Sequence, residues 1–140
     1  MDNELKKEII LDNYKYPFNK DGKDSMNYEK INSNSTSCID DIDLYIDIKD
    51  KIIKDIRFNG EACAISTAST SIMLKNIIGK SVSEASIYVD NFMNMVEEKE
   101  YNEELLGEGI AFNEVYKQAS RKTCVILPYK GIKKILDKYI

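Results

Sequence analysis

Residues 3–15 (NELKKEIILDNYK) place Leu5 and Ile9 on one helical face and Ile10 and Tyr14 on the neighbouring one, with Lys6, Lys7 and Asp12 outside. That spacing predicts a helix, ended by Tyr16-Pro17 because proline disfavours the helical conformation of the residue before it. Phe18 to Asn27, with Gly22 and few apolar anchors, suits a loop, and Tyr28 to Ile31 suits the start of a strand. The polar run Asn32 to Ser37 then leads as a loop to Cys38. In the next stretch Ile42, Leu44, Ile46 and Ile48 alternate with Asp41, Asp43, Tyr45 and Asp47, which predicts a strand with one apolar and one wet face. Lys49-Asp50-Lys51 is a polar turn, and Ile52, Ile56 and Phe58 mark a returning strand whose pattern Lys54 breaks.

Asn59-Gly60-Glu61 turns the chain into a helix expected from Ala62 to Ile78, closed by Gly79. Its small residues Ala64, Ser66, Ala68, Ser69 and Ser71 allow close packing on a sheet. Ser81-Val82-Ser83-Glu84 has the form of a capping box, and apolar residues at three- and four-residue spacing carry a further helix to Val96. Six acids between residues 97 and 108 mark a solvated face or loop. A short helix over about Ile110–Ala119 and a last one reaching Tyr139, with Pro128 and Gly131 inside it, complete the pattern. The expected fold is α+β: a small antiparallel sheet of about three strands with helices packed on one side.

The chain has 140 residues, enough for one domain, expected over 1–140. It is 43% hydrophobic and 31% charged, ordinary for a globular protein, with a net charge of −4. No apolar stretch approaches the ~18 residues of a bilayer span, and Met1-Asp2-Asn3-Glu4 has no signal-peptide character, so no membrane association is expected and the compartment is expected to be cytoplasmic. Val115 to Ile140 holds seven basic residues and one acid. In an acidic chain without a recognition motif this points to charge balance within the fold or to an acidic protein partner, and no nucleic-acid partner is expected.

The chain contains no histidine, which excludes Ser-His-Asp and Cys-His nucleophile pairs, HExxH sites and Cys2His2 fingers. Any metal must be held by sulfur and oxygen. Cys38, Cys63 and Cys124 form no CxxC, and their odd number does not suit a disulfide framework. Their spacing alone reads as three small buried apolar residues sooner than as a shared metal site. Their positions say more: Cys38 follows a polar loop, whereas Cys63 and Cys124 fall at expected helix starts, where the dipole favours thiolate. With Asp40 two positions from Cys38, three thiolates and one carboxylate can complete a four-ligand set for zinc or iron, and Arg121 and Lys122 stand ready to offset the surplus negative charge.

Cys38-Ile39-Asp40, then Phe58-Asn59-Gly60-Glu61-Ala62-Cys63-Ala64-Ile65-Ser66, then Arg121-Lys122-Thr123-Cys124, resemble the Cys-Gly-Asp, Gly-x-Gly-Cys-x-Ile-Ser and Arg-x-x-Cys signatures of the U-type iron-sulfur assembly proteins, the SufU, IscU and NifU N-terminal family. The opening segment Ile9 to Pro17 is similar to the family's first helix and its Tyr-Lys-x-Pro ending. The segment between Cys63 and Cys124, including Gly79-Lys80 and Glu98-Lys99-Glu100-Tyr101, resembles the insertion of SufU proteins, and the Leu-Pro-Pro-Val-Lys motif of IscU is absent.

The resemblance implies zinc held by Cys38, Asp40, Cys63 and Cys124. It also implies a zinc-dependent sulfurtransferase role, in which a SufS-like cysteine desulfurase docks at the site and Cys38 accepts persulfide sulfur, with Arg121 holding the partner or neutralising charge. Downstream scaffolds or apo-proteins would receive the sulfur. Two alternatives stay open: a scaffold for a transient 2Fe-2S cluster on the same ligands, with iron in place of zinc, and a zinc-stabilised interaction domain without turnover. Ile39 and Ala62 stand where the family has glycines, and Ser35-Thr36-Ser37 where it has Asn-Pro before the cysteine, so the ligand loops are expected to be reshaped.

Overall fold

The computed structural model describes residues 1–20, 27–35 and 40–140. The expectations for Gly22, Cys38 and Ile39 therefore lie outside the described residues. Four α-helices, three strands and several short 3-10 turns make up the described chain: α1 (Asn3–Lys15), β1 (Glu29–Asn34), β2 (Asp41–Lys49), β3 (Ile52–Glu61), α2 (Ala64–Ile77), α3 (Val82–Val96) and α4 (Ala119–Leu136).

The strands form one antiparallel sheet in the order β1-β2-β3. Ile42, Leu44 and Ile46 of β2 lie directly opposite Gly60, Phe58 and Ile56 of β3, and together they bury the inner face. Lys54 breaks the alternation because it is the extra residue of a bulge. Asp47 pairs with Asp55 but Ile48 pairs with Ile53, so the bulge returns Ile53 to the buried face. The outer face departs from expectation at Tyr45, which is buried: Lys30 spans its ring with the ammonium 5.6 Å from the centroid, and Arg57 lies opposite it in register. Beyond β3, Asn19 runs alongside its open edge, its carbonyl accepting from the Phe58 amide at 3.1 Å and its side chain donating to the Ile56 carbonyl at 2.9 Å.

Helices cover the inner face, α4 against β1 and β2 and α2 against β3. Gly131 lets α4 come this close, since a Cβ there would sit 3.1 Å from Leu44 Cδ1 and 3.0 Å from Ser33 Cβ. The predicted capping box at Ser81 and Glu84 is formed, and Gly79 follows the end of α2 at φ +88°. On α1 the face toward the protein is Lys6, Ile9, Ile10 and Asn13, so Leu5 and Tyr14 are exposed and Lys6 is half-buried, the reverse of their expected places. Asn13 is fully buried there and accepts a hydrogen bond from Ser71 Oγ at 2.8 Å.

The helix expected over Ile110–Ala119 is instead two 3-10 turns, Gly107–Phe112 and Val115–Lys117, and α4 ends at Leu136 before a last 3-10 turn. The polar run at Asn32–Asn34, expected as loop, belongs to β1 because Ser33 turns inward to donate to the Leu127 carbonyl at 2.7 Å. Four of the seven basic residues of the C-terminal stretch pair with acids elsewhere: Lys117 with Glu114, Lys122 with Glu97, Lys133 with Asp90 and Lys138 with Glu29. Charge balance within the fold thus accounts for most of that stretch. Among the described residues no helix is long and apolar enough to cross a membrane.

Candidate metal centre

Three stretches distant in sequence converge at one end of the sheet. Asp40 directly precedes β2, Cys63 joins β3 to α2, and Cys124 lies on α4; their donor atoms all fall within 4.8 Å of one another. Cys38 lies outside the described residues, so the structure brings together three of the four expected ligands.

Each is placed by local chemistry. Gly60, at φ +121°, lets β3 pass under the Asp41 carbonyl, where a Cβ would come within 2.0 Å of that oxygen. This glycine is obligatory, whereas Ala62 is not among the residues of positive φ and has no need of glycine's freedom, so its replacement of the family glycine does not strain this loop. Cys63 is the N-cap of α2, its Sγ accepting from the Ser66 amide at 3.4 Å. Asp40, 1% exposed, accepts the Cys63 amide on Oδ1 at 2.7 Å and the Ser66 hydroxyl on Oδ2.

Cys124 corrects the expectation of a thiol at a helix start. It is the sixth residue of α4, beyond the first turn in which the helix dipole acts, and burial, followed by the neighbouring Cys63 and Asp40, pushes its thiol up to about 12. Left without a cation, the cluster therefore keeps Cys124 protonated at neutral pH. A divalent ion removes the obstacle, because coordination displaces the thiol proton and cancels the repulsion among the anions. The spacing suits one. A tetrahedral ion with sulfur at about 2.3 Å and carboxylate oxygen at about 2.0 Å spans an S···O edge of about 3.5 Å, and Cys63 Sγ lies 3.6 Å from Asp40 Oδ2.

Arg121 sits one turn before Cys124, exposed, and does not touch the three donors by any described hydrogen bond or ion pair; among the described residues it has no acidic partner. It borders a cleft of about 280 Å³ between α1 and the starts of α2 and α4, which Lys6, Lys7, Ile10, Ile65 and Lys117 also line. Lys122, expected to offset the site's charge, turns away to Glu97 at 3.1 Å. The sequence shows Ser66 as a small side chain and as the last residue of the Gly-x-Gly-Cys-x-Ile-Ser signature but not its role: it is fully buried and touches all three ligand residues. Its position three after the N-cap Cys63 was the available signal.

The sequence and the fold match known proteins. The NifU-like N-terminal domain family model matches residues 5–125. The zinc-dependent sulfurtransferase SufU of Bacillus subtilis is 35% identical over 136 residues, 96% of this chain and 90% of that protein. The iron-sulfur cluster assembly scaffold protein IscU of Thermotoga maritima is 34% identical over 102 residues, 73% and 72% of the two chains. Among solved structures, a candidate iron-sulfur cluster assembly scaffold protein for the SUF system of Fervidobacterium islandicum superposes with a TM-score of 0.86 at 35% identity, over 92% of this chain and 94% of that one. With its sheet order, its three clustered donors and these matches, the chain belongs to the NifU-like N-terminal domain family of iron-sulfur cluster assembly proteins, together with SufU and IscU.

Proposed function

We propose that residues 1–140 form one SufU-type domain that holds zinc on Cys38, Asp40, Cys63 and Cys124 and accepts sulfur from a cysteine desulfurase. The observation that carries this reading is the cluster of Asp40, Cys63 and Cys124 within 4.8 Å in a chain with no histidine, combined with similarity to a zinc-dependent sulfurtransferase over 96% of the chain. When bound, the ion supplies charge neutralisation that keeps the thiolates deprotonated at neutral pH.

Cys38 is the acceptor. Its thiolate attacks the outer sulfur of the desulfurase's cysteine persulfide, a new S–S bond forms on Cys38, the old one breaks, and the desulfurase cysteine leaves as thiolate. No external oxidant or reductant is consumed, since the sulfane sulfur moves at constant oxidation level. For that attack the Cys38 thiolate would have to be off the ion, with Asp40, Cys63 and Cys124 as the residues that would keep it in place. Arg121, beside the cationic cleft at the start of α4, receives acidic groups of the desulfurase.

The test is alanine production by the cognate desulfurase fed with cysteine. Adding the zinc-loaded protein is expected to raise it severalfold, Cys38→Ser to abolish the stimulation, and mass spectrometry to find one added sulfur on Cys38. Unchanged alanine output, with anaerobic uptake of iron and sulfide into a chromophore that passes to apo-ferredoxin, replaces this reading with the scaffold one.

A further inference from the structure

Ser66 is tied to the site through a defect in a different helix. Pro128 lies inside α4 and is buried, and proline has no amide hydrogen to give the carbonyl four residues back. That carbonyl belongs to Cys124, itself one of the three clustered donors. Ser66 Oγ reaches it from α2 at 2.9 Å. The same hydroxyl donates to Asp40 Oδ2 and lies 3.6 Å from Cys63 Sγ. A serine hydroxyl carries one hydrogen, so the Cys124 carbonyl and the Asp40 carboxylate compete for it. All of this occurs at zero solvent exposure of Ser66, where no water substitutes for a missing donor.

We propose that Ser66 is the positioning residue for Asp40 in the metal centre, and that Pro128, by leaving the Cys124 carbonyl without its helical donor, sets how firmly Ser66 holds that carboxylate. The inference rests on the metal reading of Asp40, Cys63 and Cys124 given above. A hydrogen bond to one oxygen of a ligating carboxylate fixes its rotation and so the direction in which its lone pair meets the ion. When the hydroxyl hydrogen swings to the Cys124 carbonyl, Asp40 is freer to rotate and release. Ser66 thereby links the carboxylate ligand to the backbone of a thiolate ligand without touching the metal.

The experiment is an anaerobic cobalt(II) titration of the full chain at neutral pH, followed by the visible ligand-field bands that report tetrahedral coordination, with zinc transfer to a chelator as the second readout. The Ser66→Ala protein is expected to bind cobalt about 10- to 100-fold more weakly with altered bands. In an Asp40→Ala background the same substitution is expected to cost nothing further, because the carboxylate it positions is gone. Pro128→Ala restores an amide donor to the Cys124 carbonyl, and zinc is expected to leave severalfold more slowly than from the native protein. Cobalt binding by Ser66→Ala equal to the native protein, or losses that multiply in the double variant, overturns the proposal. Should Ser66→Ala not fold, as judged by circular dichroism of the metal-free protein, Pro128→Ala decides: zinc release unchanged or faster overturns it. A native protein that takes up no cobalt overturns the metal reading itself, an outcome distinct from either of these.

Discussion

Helix α2 is buried along nearly its whole length, yet its two halves are built from different chemistry. The first half buries Ser66, Thr67, Ser69, Thr70 and Ser71; the second buries Ile72, Met73, Leu74 and Ile77, at much the same near-zero exposure. The apolar half stabilises by area removed from water and meets any greasy neighbour. The hydroxyl half is specific: Ser66 and Ser69 donate to the Cys124 and Val125 carbonyls at 2.9 and 2.6 Å, and Ser71 donates to Asn13 while accepting the Phe18 amide at 2.9 Å. Small polar residues thus tie α2 to α4 beside the ligands and to α1 and the Phe18 backbone about two turns further along, and each bond dictates one placement. Apolar packing would hold the same elements without fixing their register.

The sharpest way to break this contrast is to truncate one residue in each half. Ile72→Ala, at zero exposure in the core cluster, is expected to lower global stability by about 2–5 kcal/mol, read as a lowered denaturation midpoint at unchanged slope. Ser71→Ala strands the buried Asn13 oxygen and the Phe18 amide, and is expected to cost about 1–3 kcal/mol. The distribution should differ as well. Hydrogen exchange is expected to quicken at Phe18 and along α1 in Ser71→Ala, and throughout the core in Ile72→Ala. A uniform effect in both variants removes the distinction between the halves.

A smaller effect probes a polar pair set in the apolar core between α3 and α4. The Tyr88 and Tyr129 hydroxyls meet at 2.7 Å, with Phe92 stacked on Tyr129 at 3.8 Å, and burial is the main cause that raises both phenols above their ordinary value of 10. The folded chain keeps these protons at a pH where the unfolded chain releases them. Their contribution is complete below pH 10 and is lost as pH rises above it. The Tyr88→Phe/Tyr129→Phe protein is therefore expected to lose less stability than the native one between pH 8 and pH 10.5, by about 1 kcal/mol per tyrosine, measured by urea unfolding at both pH values.

Period-two and helical patterns made the hairpin and α3 legible because each buries one regular face; α1 was legible as a helix but not in the face it buries, and α2, buried without a break from Ser66 to Leu74, was legible from its small residues and its closing Gly79. Lys54 shows how an apparent flaw carries information: a charged residue that breaks alternation marked the bulge. The turns at Gly107–Phe112 and Val115–Lys117 were read as one helix because 3-10 turns bury residues at nearly helical spacing. At the site, residue types and motif order singled out Asp40, Cys63 and Cys124, whose donor atoms the fold brings within 4.8 Å of one another, since thiols and a carboxylate advertise their chemistry. Ser66 was opaque. Its importance arises from Pro128, 62 positions away, and only the packing of α2 on α4 brings the unpaired carbonyl and the hydroxyl together.

The pairing of Asn19 along the outer rim of β3 has a consequence for how copies of this chain coexist. A free strand edge is a template on which another extended segment can dock, the first step toward runaway sheet extension. Here the Phe58 amide and the Ile56 carbonyl already have partners within the same molecule. At the far side Glu29, the first residue of β1, is gripped by Lys138 at 2.9 Å and by the Tyr139 hydroxyl at 3.0 Å, which seats the C-terminal turn beside that rim. The segment at Asn19 and the turn at Asp137–Tyr139 thus guard the two borders of the three-stranded sheet, and removing residues 1–20 or 137–140 is expected to open an edge on which another extended segment can pair.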